Sequence, residues 1–520
     1  MQPNFVIRRY SIHPGIGVAR IGNSTLGVHL PHPPPEVPQP PKRPPEQGFF
    51  IGPEVPNPDF VPTPFGHYRD SQHNIRRQAA RFRIYEYTYT YFAFEQALRG
   101  ITRAPTVREI TADEADIEWH VHLANAKSKD QNSMSVVNDP GEKTVGGVNH
   151  QVDVTGQIFG DQVQLGTLAT DAKGRLMVLG GFGKSKSPSN APLGSLFNAL
   201  WYDDVSDGPV RATIKLHNSG AQPAVEPAWV LVGVPGFAHP VESIVTLYDL
   251  AYDRATQLPS PNTLVPPTQV SFTKDIYPLL RRPVLMQWVI AAAQMGHSGQ
   301  ASGNFLDLQR FALLKDNDPN PNSAAFQERQ TVFNALRNPN GGGDDMPLLN
   351  GGLAVTPFQY QQMQKWSVGN FAADWTGAPP PVVPLDQLPA AQQPAALDKA
   401  GLITTVGGVF FPGIEACSVM ADVNTYEKPL RIRQTLPPGT LTSGLSVPWQ
   451  ADYTACGTGW WPAGRPNDVT QDAINFYPWK PPGWQMADMV QNWAQLGFIA
   501  KQQINGQTVY VETERFAHPP

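Results

Sequence analysis

Apolar and polar residues alternate along much of the first half of the chain, in "RFRIYEYT" (81–88), "IEWHVHL" (117–123), "RATIKLH" (211–217) and "AWVLVGVPGF" (228–237). A period of two is that of a strand with one face buried, and Gly, Pro, Asp and Asn between these runs supply the turns. Residues 1–270 are therefore expected to form a β-rich unit. From Phe272 the period lengthens. "DIYPLLRRPVLMQWVIAAAQM", "SAAFQERQTVFNALRN" and "TPFQYQQMQKWSVGNF" carry apolar residues at helical spacing, the last with Thr356 placed as N-cap and Pro357 at the first helical position. Gly- and Pro-rich loops follow from about residue 401, with one helix predicted over "DMVQNWAQLGFI", stopped by Gly497, and a closing strand, "QTVYVETER". The expected class is α+β, with a second unit, residues 271–520, that is mainly helical and loop-rich.

The chain of 520 residues has 41% hydrophobic content, enough for a large core, and no apolar run long enough to span a bilayer. Its opening lacks the apolar stretch of a secretory signal, so the default compartment is the cytoplasm, with export by another route left open. A formal net charge of −5 without a basic cluster argues against nucleic acid as a partner. Among 54 prolines, the densest run covers residues 30–48 and is expected to be an extended surface strap.

Several constellations have a plain reading beside a chemical one. His120 and His122 share one strand face, a spacing suited to a metal, but a third ligand is missing and a hydrogen-bonded surface pair is the better reading. "VLGGFGKS" (178–185) lacks the Lys-Ser spacing of a phosphate loop and reads as a turn. Asp203, Asp204 and Asp207 depart from calcium-loop spacing and read as a solvated turn. No metal is expected. Asp452 and Cys456 are different, because one helical turn would set a carboxylate beside a thiol in a chain with two cysteines. Trp493 falls on the apolar stripe Met489, Val490, Trp493, Leu496 and should face inward. On periodicity alone Trp493 is a core side chain and Cys456 an inert thiol. Cys417 reads as a small buried residue.

Taken in order along nearly the whole chain, "SIHPGIGVARIGNS", "EWHVHLANAK", "LWYDDVSDGPV", "VSFTKDIYPLLRR", "VGGVFFPGIEA", "VPWQADYTACGTGWWPAGRP" and "NWAQLGFI" resemble the quinoprotein amino-acid oxidases typified by L-lysine ε-oxidase and glycine oxidase. The resemblance implies that the second half carries the active site, with a cysteine tryptophylquinone made by a thioether between Cys456 and Trp493. Trp460 and Trp461, sequence neighbours of Cys456, are the competing tryptophans. It further implies that Asp452 is needed to form the cofactor and that a separate flavoprotein assists maturation. The activity implied is oxidative deamination of a primary amine, chiefly of an amino acid. Molecular oxygen is the acceptor, and the products are an aldehyde or keto acid, ammonia and hydrogen peroxide. Thr405 stands where relatives have a cysteine near the substrate path. Arg465 could take a substrate carboxylate, while Trp479 and Trp484 could shape the entrance. A homo-oligomer is expected. The rival readings are a non-catalytic binding protein on the same scaffold, and a quinone dehydrogenase that passes electrons to a protein acceptor.

Overall fold

The computed structural model describes residues 5–27, 46–62, 67–91, 104–341, 346–348, 353–408, 413, 415, 418–456 and 459–516. Most of the proline-rich run at 30–48, and Cys417, lie outside the described residues. The alternating segments form strands as expected: Arg77–Tyr91, Ala115–Val121, Ser206–Leu216 and Ala228–Gly233 all belong to one large mixed sheet, thirteen-stranded among the described residues. Its main path runs Gln151–Ile158, Asp161–Thr170, Leu176–Gly180, Arg77–Tyr91, Ile16–Arg20, Ala228–Gly233, Ser206–Leu216, Ala115–Val121, Lys143–Gly146. Along that path neighbours are antiparallel except Ile16–Arg20 and Ala228–Gly233, which pair in parallel from Ile16 opposite Trp229 to Arg20 opposite Gly233.

That central parallel pair is buried on both faces, which explains its almost wholly apolar sequence, broken only by Arg20 at the end of the first strand. Strand alternation sends its side chains to two different cores. Ala19, Ala228, Val230 and Val232 enter the main core, while Ile16, Val18, Trp229 and Leu231 pack with Leu247, Leu250 and Ala251 of the helix Leu247–Thr256. The sheet is thus a middle layer. Helices Tyr277–Leu285, Ala324–Asn334 and Pro357–Ser367 contribute to a separate helical core around Phe272, Leu280, Met363 and Trp366. Thr356 caps the last of these as expected, in a reciprocal arrangement with Gln359 and with Pro357 in the first turn.

Two expectations need correction. The "DMVQNWAQLGFI" helix is shorter: it covers Met486–Asn492, tightens into a 3-10 turn over Trp493–Gln495, and gives way to the strand Phe498–Ile504. Gly497 is no helix stop. A side chain there would lie 2.5 Å from Glu512, so its role is close packing against the hairpin partner Gln507–Thr513. Asp203, Asp204 and Asp207 are not a solvated turn but are buried at 1%, 0% and 0% exposure. His120 and His122 lie on the sheet as a hydrogen-bonded pair: His122 contacts Asp139 at 2.6 Å, and His120 contacts Thr213 and Thr144 at 3.4 Å each.

Candidate active site

The segment from Ser446 builds a short helix, Trp449–Ala455, whose first turn contains Asp452 and whose C-cap is Cys456. The Cys456 amide donates to the Asp452 carbonyl at 3.2 Å, closing the turn that sets carboxylate and thiol on one side. Asp203 fixes the start of this helix. One of its oxygens accepts from the Trp449 amide at 2.8 Å and pairs with the Lys127 ammonium at 2.7 Å, both side chains being fully buried. The other accepts from Asn125 at 3.1 Å. This buried pair therefore has the extra hydrogen bonds that such a pair needs.

Trp493 closes the helix Met486–Asn492, which packs directly against Trp449–Ala455. It is 4% exposed, facing inward as the apolar stripe predicts. Its ring meets Trp449 edge-on at 5.3 Å and 71°. Cys456, half-buried, packs against the same core cluster that contains Trp449, Tyr453, Trp461, Trp479 and Trp493. Trp460 packs against this cluster as well, 5.8 Å from Trp461. The two competing tryptophans are thus in the same neighbourhood.

Sequence reasoning missed the backbone that presses on the Trp493 ring. Gly183, with φ of +76°, comes so close that a β-carbon would lie 2.1 Å from Trp493 Cζ2 and 2.8 Å from Cη2. The loop that carries it is held by Asp204, whose Oδ2 accepts from the Gly183 and Lys184 amides at 2.7 and 3.0 Å. "VLGGFGKS" is not simply the turn expected: Val178–Gly180 end the strand Leu176–Gly180, and the irregular loop that follows packs on the tryptophan rather than lying free at the surface. Its glycine pattern was the available signal. Asp207 accepts from Trp229 Nε1 at 2.9 Å and from the Thr442 amide and hydroxyl at 2.8 and 2.7 Å. It ties the sheet to the loop entering the Cys456 helix.

The electrostatics follow from burial. Asp452 is 1% exposed, and burial raises its pKa to about 7, against the opposing pull of the Cys456 thiol, Arg465, Ser446 and Lys127. Burial also pushes the Cys456 thiol well up, reinforced by the Asp452 carboxylate beside it, so the sulfur holds its proton at neutral pH. Arg465, 5% exposed, is lowered from its usual value by burial while Asp452, Tyr453 and Cys456 counteract that shift. Asp204 is raised to about 7 by burial and by Asp203, and Asp207 to about 6 by burial.

The other predicted residues divide. Trp479 is fully buried, its indole donating to the Gly497 carbonyl at 3.0 Å and its ring against Phe237 and Tyr453. Trp484 is half-buried at the edge of the same cluster, its carbonyl accepting from Lys480 at 3.1 Å. Thr405 belongs to a different group: its hydroxyl accepts from Arg20 at 3.3 Å, and Arg20 forms a buried ion pair with Glu415. Tyr453 feels both groups, since Glu415 and Asp452 each help burial to raise its pKa.

Residues 13–137 and 128–232 match the model of the L-lysine ε-oxidase N-terminal region, and residues 338–473 match the L-lysine ε-oxidase C-terminal domain. The chain belongs to the L-lysine ε-oxidase family. The C-terminal match takes in Asp452 and Cys456 and ends before Trp493. Over 569 aligned positions the chain is 24% identical to the L-lysine 6-oxidase of Marinomonas mediterranea, covering 86% of this chain and 71% of that protein. A crystal structure of the L-Lys ε-oxidase from Marinomonas mediterranea aligns with a TM-score of 0.70 at 21% identity, covering 98% of this chain and 95% of that one. A second, of its Schiff base intermediate with L-Lys, gives 0.71 at 20% with the same coverage. The shared fold includes the β-rich first half and the helices concentrated in the second. Membership in the L-lysine ε-oxidase family makes this chain an amino-acid oxidase. Among the described residues no helix is long and apolar enough to cross a membrane.

Proposed function

We propose that the chain oxidises the primary amine of an amino acid through a cysteine tryptophylquinone assembled from its own Cys456 and Trp493. The observation that carries this reading is the packing of the helix that ends at Cys456 against the helix that ends at Trp493. A thiol at the end of one short helix and a tryptophan at the end of another share a core, with a carboxylate one turn before the thiol. The residues fit the cofactor: a cysteine supplies the thioether sulfur, an indole supplies the ring, and a carboxylate of raised pKa stands by to take protons. The quinone would supply an electrophilic carbonyl and a two-electron sink.

The chain's own groups then have distinct work. Sulfur–carbon bond formation replaces the S–H and one ring C–H bond and sends two electrons to the flavoprotein maturation partner; because the Cys456 thiol holds its proton, a proton acceptor is needed, and Asp452 with a pKa of about 7 is ionised often enough at neutral pH to serve. Trp449 and Gly183 both pack on the Trp493 ring and hold it in place. Arg465, buried near Asp452, is assigned the substrate carboxylate, Trp484 the entrance, and Thr405 a more remote place on the substrate path. Oxygen and water are consumed, and an aldehyde or keto acid, ammonia and hydrogen peroxide are released. A flavoprotein maturation partner and a homo-oligomer belong to the same proposal, supported by the family resemblance.

Phenylhydrazine labelling tests the tryptophan. It should label Trp493 in competition with substrate and abolish amine oxidation and peroxide release together. Trp460→Phe and Trp461→Phe should still be labelled, and Trp493→Phe should not. Label mapped to Trp460 or Trp461 would move the cofactor. Amine oxidation without peroxide under air would replace the oxidase with a dehydrogenase. L-lysine, named for the Marinomonas relative, is the first substrate to assay.

A further inference from the structure

A cavity of roughly 1020 Å³ opens elsewhere in the fold, lined from the helices Leu247–Thr256, Tyr277–Leu285 and Gln393–Ile403 and from residues 379–383, without Asp452, Cys456 or Trp493. Its charged groups are largely spent on one another. Arg282 donates to Glu242 at 3.1 Å and to Asp249 at 2.7 Å. Arg281 reaches the Tyr510 hydroxyl at 3.3 Å and Asp59 at 3.5 Å, and Lys501 pairs with Asp59 at 2.7 Å. Asp275 accepts from the Ser271 amide at 2.8 Å.

Lys399 stands apart. Its ammonium lies 4.9 Å from the centre of the Tyr248 ring, and among the described residues no carboxylate approaches within the 4.0 Å of an ion pair. Burial lowers its pKa against the pull of Asp249 and Glu242, with Arg282 adding a smaller push the same way and Asp275 a smaller pull against it. A cation–π contact returns only a part of what a desolvated ammonium loses. Next to it runs a ladder of rings: Tyr248 and Tyr252 at 5.8 Å, then Tyr252 and Phe358 at 5.2 Å. Tyr248, Tyr252 and Phe358 all line the cavity. An ammonium with no direct ion-pair partner among the described residues, at one end of an aromatic wall, has the chemistry to receive an anion with an apolar body.

We propose that this cavity binds a small carboxylic acid, its carboxylate on Lys399 and its apolar body along Tyr248, Tyr252 and Phe358. The site is separate from the one assigned to the quinone, and benzoate is a suitable probe because it has no amine to oxidise. Calorimetric titration of the full chain with benzoate should show one saturable site per chain. Loss of a charge-assisted hydrogen bond should weaken binding about tenfold or more in Lys399→Met, while Lys399→Arg stays within a few-fold. Trp493→Phe should bind as the parent does, which separates failure here from failure of the quinone reading. No saturable binding, or equal affinity in Lys399→Met, would overturn the proposal. So would loss of binding in Trp493→Phe with retention in Lys399→Met. Should Lys399→Met not fold, the parent chain still decides the matter: benzoate should shield Lys399 from trinitrobenzenesulfonate in peptide mapping, and unshielded modification refutes the site.

Discussion

Gly183→Ala is the sharpest perturbation of the proposed cofactor pocket that leaves both Cys456 and Trp493 in the sequence. Two costs add. At φ of +76° an L-residue is strained by about 1–2 kcal/mol, and the new methyl would sit 2.1 Å from Trp493 Cζ2, 2.8 Å from Cη2 and 2.9 Å from Cε2. No real methyl tolerates these distances, so the ring or the loop must move. The ring is packed against Trp449 and the loop is tied to Asp204 by two hydrogen bonds. Overpacking of this kind costs about 1–3 kcal/mol. The total is about 2–5 kcal/mol. Gly160→Ala is the matched control, with φ of +86° and nothing within 4 Å of the added carbon, so it should pay the backbone cost alone. Chemical denaturation of both variants should place Gly183→Ala below Gly160→Ala by about 1–3 kcal/mol, the overpacking share. Quinone staining should fall in Gly183→Ala only, because the proposed cross-link requires the Trp493 ring to stay in its present place. Equal stability and equal staining in the two variants would refute the close approach of Gly183 to Trp493.

Asp452→Ala should leave a folded protein poor in quinone, since a single polar-to-small change costs about 1–3 kcal/mol whereas the proton acceptor is lost outright; a fully stained, active variant would remove Asp452 from that role. Because the ionised form of Asp452 is the acceptor, cross-link yield during maturation should rise as pH increases through about 7, read by mass spectrometry of protein matured at several pH values. Asp204 is protonated more readily in the folded chain than its ordinary 3.8, so the folded state binds the extra proton and its stability falls as pH rises from about 4 to about 7. Asp204→Asn keeps an oxygen to accept from the Gly183 and Lys184 amides and removes the charge. Denaturation midpoints across that range should therefore fall less steeply in the variant, and an unchanged slope would contradict the shift.

Legibility in the sequence tracked how local the cause was. The strand at 81–88, the Thr356 cap and the inward face of Trp493 depend on nearest neighbours and on period, and each appears where the pattern places it. The one-turn relation of Asp452 to Cys456 was equally local. What failed depended on partners far away in sequence. Asp203, Asp204 and Asp207 look like a solvated turn until Lys127, the Gly183 loop, Trp449, Trp229 and Thr442 arrive to satisfy them. Gly497 looks like a helix stop until Glu512 is packed against it. The proposed pairing of Cys456 with Trp493 was likewise invisible to periodicity, which made both ordinary core residues, and the proposal came from the family resemblance.

The central claim is a covalent bond, and mass spectrometry of the chain matured in its native source addresses it most directly. The intact mass should correspond to a gain of two oxygens and a loss of four hydrogens, two to the thioether and two to the dione, with a single cross-linked peptide pair joining Cys456 to Trp493. An unmodified mass, with Cys456 alkylated freely after denaturation, would contradict it.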